Sequence, residues 1–491
     1  MAAPFVVVGG DAAGLSAASK LRREDPEREV VVFEAGEWVS YAHCGMPYYV
    51  KGAVDSLADL LSLSPAEIED RGIDLRRNHE VLAVDPAART VTVEGPVGRF
   101  TQSYGDLLLA TGAHAVSAPI PGAGLDGAFT LHDMDAAAAL RAFLTPPAEA
   151  GTAGPDSPGA LPDAVGAAGV AADAVDRDRV ARYAGMEPPE TAAIVGGGYV
   201  GVEMAEALVA RDLDVHLFQR SARPLPPFGE AVGDAVADTL REHGVTLHLG
   251  SAVDELAGDE RVAGVVAGGE RVDTDLAVVG IGVEPNTDLV DGTALRCGES
   301  GAIATDDYGR TSAADVYAAG DCAEMRHAVT GEPAWVPLGL TANRAGRAVG
   351  QTVAGTPTPV GDVAGTAVVK AFDLECGRTG LLAHDRAAAA GFAPVSETVT
   401  ASSRSGYYPG AEDTTVTLTA DAPTGRLLGG SIVGRDRAAI RIDVLATALD
   451  RGLTVAELER LDLAYAPPFS PVWDPVLVAA KVLNGSLPAQ S

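Results

Sequence analysis

Lysine is almost missing from this chain of 491 residues: Lys20, Lys51, Lys370 and Lys481 are the whole set, and arginine supplies the rest of the positive charge. Acidic residues outnumber basic ones by 68 to 36, for a formal net charge of −32. A surface this acidic repels nucleic acid and anionic membranes, so neither is expected as a partner. It reads instead as a surface adapted to concentrated salt, as in the cytosol of a halophile. Cysteine is scarce too. Cys44, Cys297, Cys322 and Cys376 stand far apart with no CxxC pair, so no metal site is expected and a reducing compartment is. No apolar run approaches the roughly 20 residues of a membrane span. The opening "MAAPFVVVGGDAAG" has no basic stretch ahead of its apolar residues. The expectation is therefore a cytoplasmic protein without a secretory leader.

What is present is apolar and rich in glycine, with 47% hydrophobic residues and 57 glycines, which suits an α/β chain of two to four domains. Two strand–glycine turn–helix–strand units stand out. The first is "PFVVVGGDAAGLSAASKLRRE" followed by "EVVVFEAGE"; the second is "TAAIVGGGYVGVEMAEALVARDLDVHLFQR". Between them, Thr145 to Asp178 is Ala, Gly, Pro and Asp with few large apolar residues. It reads as a mobile insertion with room for a short helix in its second half. Beyond about Gly365 the glycine fingerprints stop and a further domain of strands and helices begins. The expected layout is a first nucleotide domain over 1–144 and 284–355 and a flexible insertion over 145–188. A second nucleotide domain follows over 189–283, and a C-terminal α+β domain over 360–491.

In the first fingerprint Gly9 makes the tight turn and Gly14 lets the helix close on the strand, leaving the helix N-terminus for a pyrophosphate. Asp11 stands where the pattern has its middle glycine. Glu34 ends the second strand, where an acid suits ribose hydroxyls. The second fingerprint is complete at Gly196, Gly198 and Gly201. Its second strand ends in Gln219 and Arg220, with Arg223 close by, a set that fits a 2′-phosphate and therefore NADPH over NADH. Two dinucleotide sites in one chain point to a flavoenzyme, with FAD in the first and the nicotinamide nucleotide in the second. "DLLLATGA" (Ala110, Thr111, Gly112) and "VYAAGDCAE", whose Asp321 is placed for a ribityl hydroxyl, support this. Cys322 beside it reads as packing, as do Cys297 and Cys376.

Together with "SYAHCGMPYYVKG", "LTANRAGR", "GYYPGAE" and "YAPPFSPVWDP", these motifs make the chain resemble the FAD-dependent pyridine nucleotide–disulfide oxidoreductases. Within them it is similar to the single-cysteine branch of coenzyme A–disulfide reductases, NADH oxidases and peroxidases. The resemblance implies two Rossmann-like domains for FAD and NAD(P), with Tyr199, Val200 and Gly282 in the nicotinamide site, and a C-terminal dimerisation domain. It implies that Cys44 is the redox centre beside the flavin. Dithiol relatives carry a second cysteine five residues on, where this chain has Tyr49, and Val39 lies five residues before. Cys44 is thus expected to cycle through a mixed disulfide with substrate or through a sulfenic acid. A position at a helix N-terminus is expected to lower its pKa.

The resemblance also bears on substrate. Family peroxidases and oxidases carry a histidine in the first glycine turn, where this chain has Ala12 and Ala13. In the coenzyme A–disulfide reductases the first helix meets the CoA nucleotide with hydroxyl and basic residues. Here Ser16, Lys20 and Arg23 fall on one helix face. Ser40, His43 and Asn343 complete the expected substrate set, with His43 replacing an asparagine of those relatives. CoA disulfide is therefore the expected substrate, with O₂ or a polysulfide or persulfide as alternatives. Tyr407 or Tyr408, and Tyr465, are expected to reach the cysteine site of the other subunit in a homodimer.

Overall fold

The computed structural model describes residues 3–116, 119–145 and 175–488; most of the expected insertion lies outside these residues. The first sheet is parallel. Its centre is β1 (Phe5–Val8), which leads through the first glycine turn into α1 (Ala12–Glu24) and back to β2 (Val30–Phe33). The full strand order is Val316–Ala318, Asp106–Leu109, β1, β2, Asp74–Arg76. The runs "FVVV" and "VVVF" are buried at every position, the pattern of strands covered on both faces. After β2 the chain passes through a short turn, His43–Gly45, into α2 (Met46–Lys51).

The second sheet repeats this plan with β3 (Thr191–Val195), α3 (Tyr199–Val209) and β4 (Asp214–Gln219), flanked by Leu276–Val279 and Thr246–Leu249. Its edge departs from the expected domain limits. Ala128–Phe129 pairs in parallel with Ala277 and Val278, so the chain has already joined the second domain well before residue 144. The end of the expected insertion over 145–188 is ordered. Arg177–Ala184 is a helix with Val180 and Tyr183 buried. Tyr183 packs against Phe129 and Phe143 at ring distances of 4.8 and 5.3 Å, and these large apolar groups hold the segment in place.

α4 (Gly339–Val353) lies along α1. Small residues permit the approach: a Cβ on Gly346 would sit 2.0 Å from the Ala13 carbonyl oxygen, and one on Gly350 2.3 Å from that of Ala17. The C-terminal domain is a five-stranded antiparallel sheet with helices Ala438–Asp450 and Pro475–Ser486. No helix among the described residues is long and apolar enough to cross a membrane.

Candidate active site

The two glycine turns are built alike. Gly9 and Gly196 both have φ of +109°, a backbone conformation that suits glycine. A Cβ on Gly14 would meet the Gly9 carbonyl oxygen at 2.0 Å, and one on Gly201 that of Gly196 at 1.8 Å. Neither helix that follows has a side-chain cap, a feature shared with Glu230–Glu242 and Gly339–Val353, while Asp133, Thr454 and Asp474 cap others. Two sets of first-turn amides are thus left for phosphate groups, which is what a pair of dinucleotides requires. Around the first turn, Ala110 closes on Gly9, while Gly112 leaves open space in front of it. Thr111 donates its hydroxyl to the Asn286 carbonyl at 2.6 Å. Glu34 accepts from the Gly10 and Gly36 amides, both at 2.8 Å, which fixes its carboxylate at the end of β2.

Asp11 costs the turn nothing in backbone terms. Its φ of −121° is extended, and at the equivalent Gly198 a Cβ would meet nothing within 4 Å. The carboxylate does not cap α1. It lies 2.7 Å from Nε2 of His43 instead. The two residues that depart from the expected patterns are therefore partners. The protein around His43 pulls its pKa down, but Asp11, the charge of Asp321 and a bond to the His132 backbone outweigh this, so the imidazole sits above its ordinary value. Tyr41 packs on the His43 ring at 4.2 Å and His132 lies 6.0 Å away. Burial holds the Asp321 carboxyl up to about 6, opposed by His43 and reinforced by Asp11. Ser40 is buried, with φ of +51°, and its amide bonds to the Gly10 carbonyl at 3.1 Å. It turns the chain toward the cysteine rather than presenting its side chain at the surface.

Cys44 is exposed, and all four cysteines are free thiols. Cys322 and Cys376 are buried as expected, but Cys297 is exposed. Tyr49, at the position of a second redox cysteine, is buried under the guanidinium of Arg141. The thiol pKa of Cys44 runs opposite to expectation. Cys44 stands in the turn ahead of α2, and partial burial, then the charges of Glu203 and Asp321, push it up. Glu203 on α3 was not singled out by any motif, nor was Tyr48, whose hydroxyl donates to it at 3.3 Å. Only the packing of α2 on α3 brings them to the sulfur.

At the second site Gln219 turns inward: its Oε1 accepts from the Gly197 amide at 3.2 Å, as Glu34 does from Gly10. Arg223 is engaged by Asp234 at 2.6 Å and Glu230 at 3.3 Å, so Arg220, which is exposed, is left as the open guanidinium. Gly282 has φ of +123° and its carbonyl accepts from the Val116 amide at 3.0 Å. Tyr199 opens α3, its ring 5.4 Å from Phe228, with Val200 beside it. On α1, Ser16 donates to Asn343 Oδ1 at 2.8 Å across to α4. Lys20 is buried and paired with Glu24, so it does not stand free as expected. Arg23 and Arg347 also act on Glu24, leaving more positive than negative charge where α1 and α4 meet.

In the C-terminal domain Tyr407, Tyr408 and Tyr465 are exposed, together with Phe469, Val472 and Trp473. Their two loops are tied together. Arg441 is buried on Asp474 at 2.9 Å and donates to the Ser403 carbonyl at 2.6 Å and that of Phe469 at 3.4 Å.

Two glycine turns of the dinucleotide-binding type and an exposed cysteine, with a third domain beyond them, fit a flavin-dependent oxidoreductase that uses a nicotinamide nucleotide. Residues 3–337 match the pyridine nucleotide-disulphide oxidoreductase family and residues 366–475 match its dimerisation domain; the chain belongs to this family, which binds FAD. It is 38% identical over 482 residues, 98% of each chain, to the NAD(P)H coenzyme A polysulfide/persulfide reductase of Pyrococcus horikoshii. It is 27% identical over 470 residues, 95% of this chain and 96% of the relative, to a coenzyme A disulfide reductase of Staphylococcus haemolyticus. Among solved structures it is similar to an NAD-dependent persulfide reductase from A. fulgidus, with a TM-score of 0.86 and 32% identity, covering 98% of this chain and 83% of that one.

Proposed function

We propose that the protein reduces the sulfur–sulfur bond of coenzyme A disulfide with NAD(P)H, through a mixed disulfide between Cys44 and CoA. The observation that carries this reading is an exposed cysteine with no second cysteine to oxidise onto. A thiolate at Cys44 attacks the substrate disulfide and expels one CoA thiolate; two electrons then cleave the mixed disulfide and release the other. Bound FAD supplies the means of passing a hydride's two electrons on to sulfur. The chain's own residues do the rest. Gly9, Gly14, Glu34, Ala110, Gly112 and Asp321 hold the flavin nucleotide, and Asp11 favours the charged form of His43 beside it. Ser16, Asn343, Arg23 and Arg347 offer hydroxyl, amide and guanidinium groups to the CoA nucleotide. Arg220 faces a 2′-phosphate and favours NADPH. Tyr408 and Tyr465 hydrogen-bond the leaving thiolate from the second subunit of a homodimer.

A CoA persulfide is the second reading, favoured by the names of the Pyrococcus horikoshii and A. fulgidus relatives. The chemistry at Cys44 is the same, with hydrosulfide as the group released. The experiment is steady-state turnover of CoA disulfide, CoA persulfide and O₂ under NADPH and NADH. Faster reduction of the disulfide supports the first reading and of the persulfide the second. O₂ consumption exceeding both contradicts the proposal.

A further inference from the structure

The turn and helix that carry Cys44 and the first helix of the nicotinamide domain face each other through matched ladders. On one side are Cys44, Tyr48 and Lys51, spaced four and three residues apart; on the other are Tyr199, Glu203 and Glu206 with the same spacing. The lower rung is a structural lock. Glu206 takes Lys51 at 2.5 Å, Lys370 at 3.7 Å and the Phe372 amide at 2.8 Å, joining all three domains at one carboxylate. The middle rung differs. Glu203 has the Tyr48 hydroxyl at 3.3 Å, and among the described residues no cation lies at ion-pair distance from it. This acid, bonded to the residue four positions after Cys44, thus acts on a sulfur that in the proposed mechanism alternates between neutral and anionic.

We propose that Glu203 is a redox-linked proton site, which takes up a proton when Cys44 becomes a thiolate and releases it when Cys44 re-enters a mixed disulfide. The inference rests on the reading of Cys44 as the redox centre. Burial and the charge of Glu206 hold the Glu203 carboxyl up to about 7, against the lowering effect of Tyr48. Glu203 is in turn the first charge that raises Cys44. Asp321 is a second carboxyl whose charge acts on Cys44, and it is unchanged in the variants tested below. Of the other groups facing this rung, Tyr48 and Lys51 come from α2, Lys370 from the Ala367–Ala371 strand and Arg378, beside Tyr199, from the Leu374–Gly380 strand. The strands beneath α3 contribute apolar Ile194, Leu217 and Val278.

The step balances. Two electrons originating in NAD(P)H break the bond of Cys44–S–S–R and leave two thiolates, Cys44–S⁻ and R–S⁻. The charge at Cys44 favours a neutral neighbour, so Glu203 takes one proton from solvent, which its half-buried position admits. Cys44–S⁻ then attacks a second R–S–S–R: a new Cys44–S bond forms, the old S–S bond breaks and a second R–S⁻ departs. Cys44 is again uncharged, Glu203 ionises, and its proton neutralises a departing thiolate.

The test is the rate of iodoacetamide alkylation of Cys44 in the NADPH-reduced holoenzyme across pH, which needs no substrate. In the wild type the rate should rise in two steps, because sulfur and carboxyl titrate as a pair. In Glu203→Gln the step contributed by Glu203 should be lost and the rise should fall at lower pH, with alkylation at pH 7 faster by about threefold or more. Tyr48→Phe removes the bond that favours the ionised carboxyl, so it should move the lower step to higher pH. Profiles that superimpose on the wild type in both variants overturn the inference. A shifted profile together with failure to reduce any CoA substrate would leave the proton site standing and remove the substrate reading. The label is read on the peptide bearing Cys44, because Cys297 is also an exposed thiol and reacts in Cys44→Ser as well.

Discussion

At the residue scale, Asp11 and His43 each break a familiar pattern, and they do so together. The backbone at position 11 is extended and does not need glycine, and at the equivalent Gly198 a Cβ would meet no protein atom within 4 Å. The carboxylate is then free to hold an imidazole beside Cys44. A histidine whose folded pKa is raised contributes stability that is fully present below its unfolded pKa and is lost as pH rises through the folded value. Asp11→Asn should therefore lower the pKa of His43, read by NMR of ¹³C-labelled histidine in the holoenzyme; an unmoved titration would show that Asp11 does not hold the charge. Arg220→Ala should raise KM for NADPH on the order of tenfold and leave that for NADH within about twofold, consistent with one lost charge-assisted contact. Equal losses for both nucleotides would show that Arg220 does not read the 2′-phosphate.

At the scale of elements, the site depends on how closely α1 and α4 approach. Gly346→Ala places a methyl group 2.0 Å from the Ala13 carbonyl oxygen, so the helices must part. The expected cost is about 1–3 kcal/mol. It should appear as a lower melting temperature and faster loss of FAD, because α1 follows the glycine turn proposed to hold the flavin nucleotide. A wild-type melting curve would show that the pair yields without cost. This scale also separates what the sequence reveals from what it conceals. Gly14 and Gly201 close on Gly9 and Gly196 five residues before them, so the pattern of the four shows in the letters alone. Cys44 is marked by its own motif. Glu203 and Arg347 join the site only because α3 packs on α2 and α4 on α1, and no local spacing records such contacts. Lys20 was misplaced for the same reason, since a face shared with Arg23 says nothing of Glu24 drawing its charge inward. The edge strand Ala128–Phe129 is two residues long and carries too little periodicity to be assigned to its sheet.

At the scale of the whole molecule, charge and assembly dominate. A net charge of −32 on one chain repels itself, and salt screens that repulsion over roughly 10 Å at 0.1 M and 3 Å at 1 M. The melting temperature should rise between 0.1 and 2 M KCl; a flat or falling curve would contradict a surface built for salt. The exposed Tyr407, Tyr408, Phe469 and Trp473 surround loops that Arg441 fixes in register, a surface suited to a second copy of the chain. If the tyrosines serve the partner's cysteine, Cys44→Ser homodimers and Tyr408→Phe/Tyr465→Phe homodimers should each be slow. Subunit exchange between them should restore activity, because mixed dimers contain one complete site.

All of this turns on sulfur chemistry at Cys44. The most direct measurement is the intact mass of the oxidised enzyme after treatment with CoA disulfide, followed by peptide mapping. The account predicts one CoA moiety per chain on the peptide bearing Cys44, released by NADPH and absent in Cys44→Ser, whose turnover should fall on the order of a thousandfold or more while FAD stays bound. Sustained disulfide reduction by Cys44→Ser, or an adduct located at Cys297 instead, would contradict it.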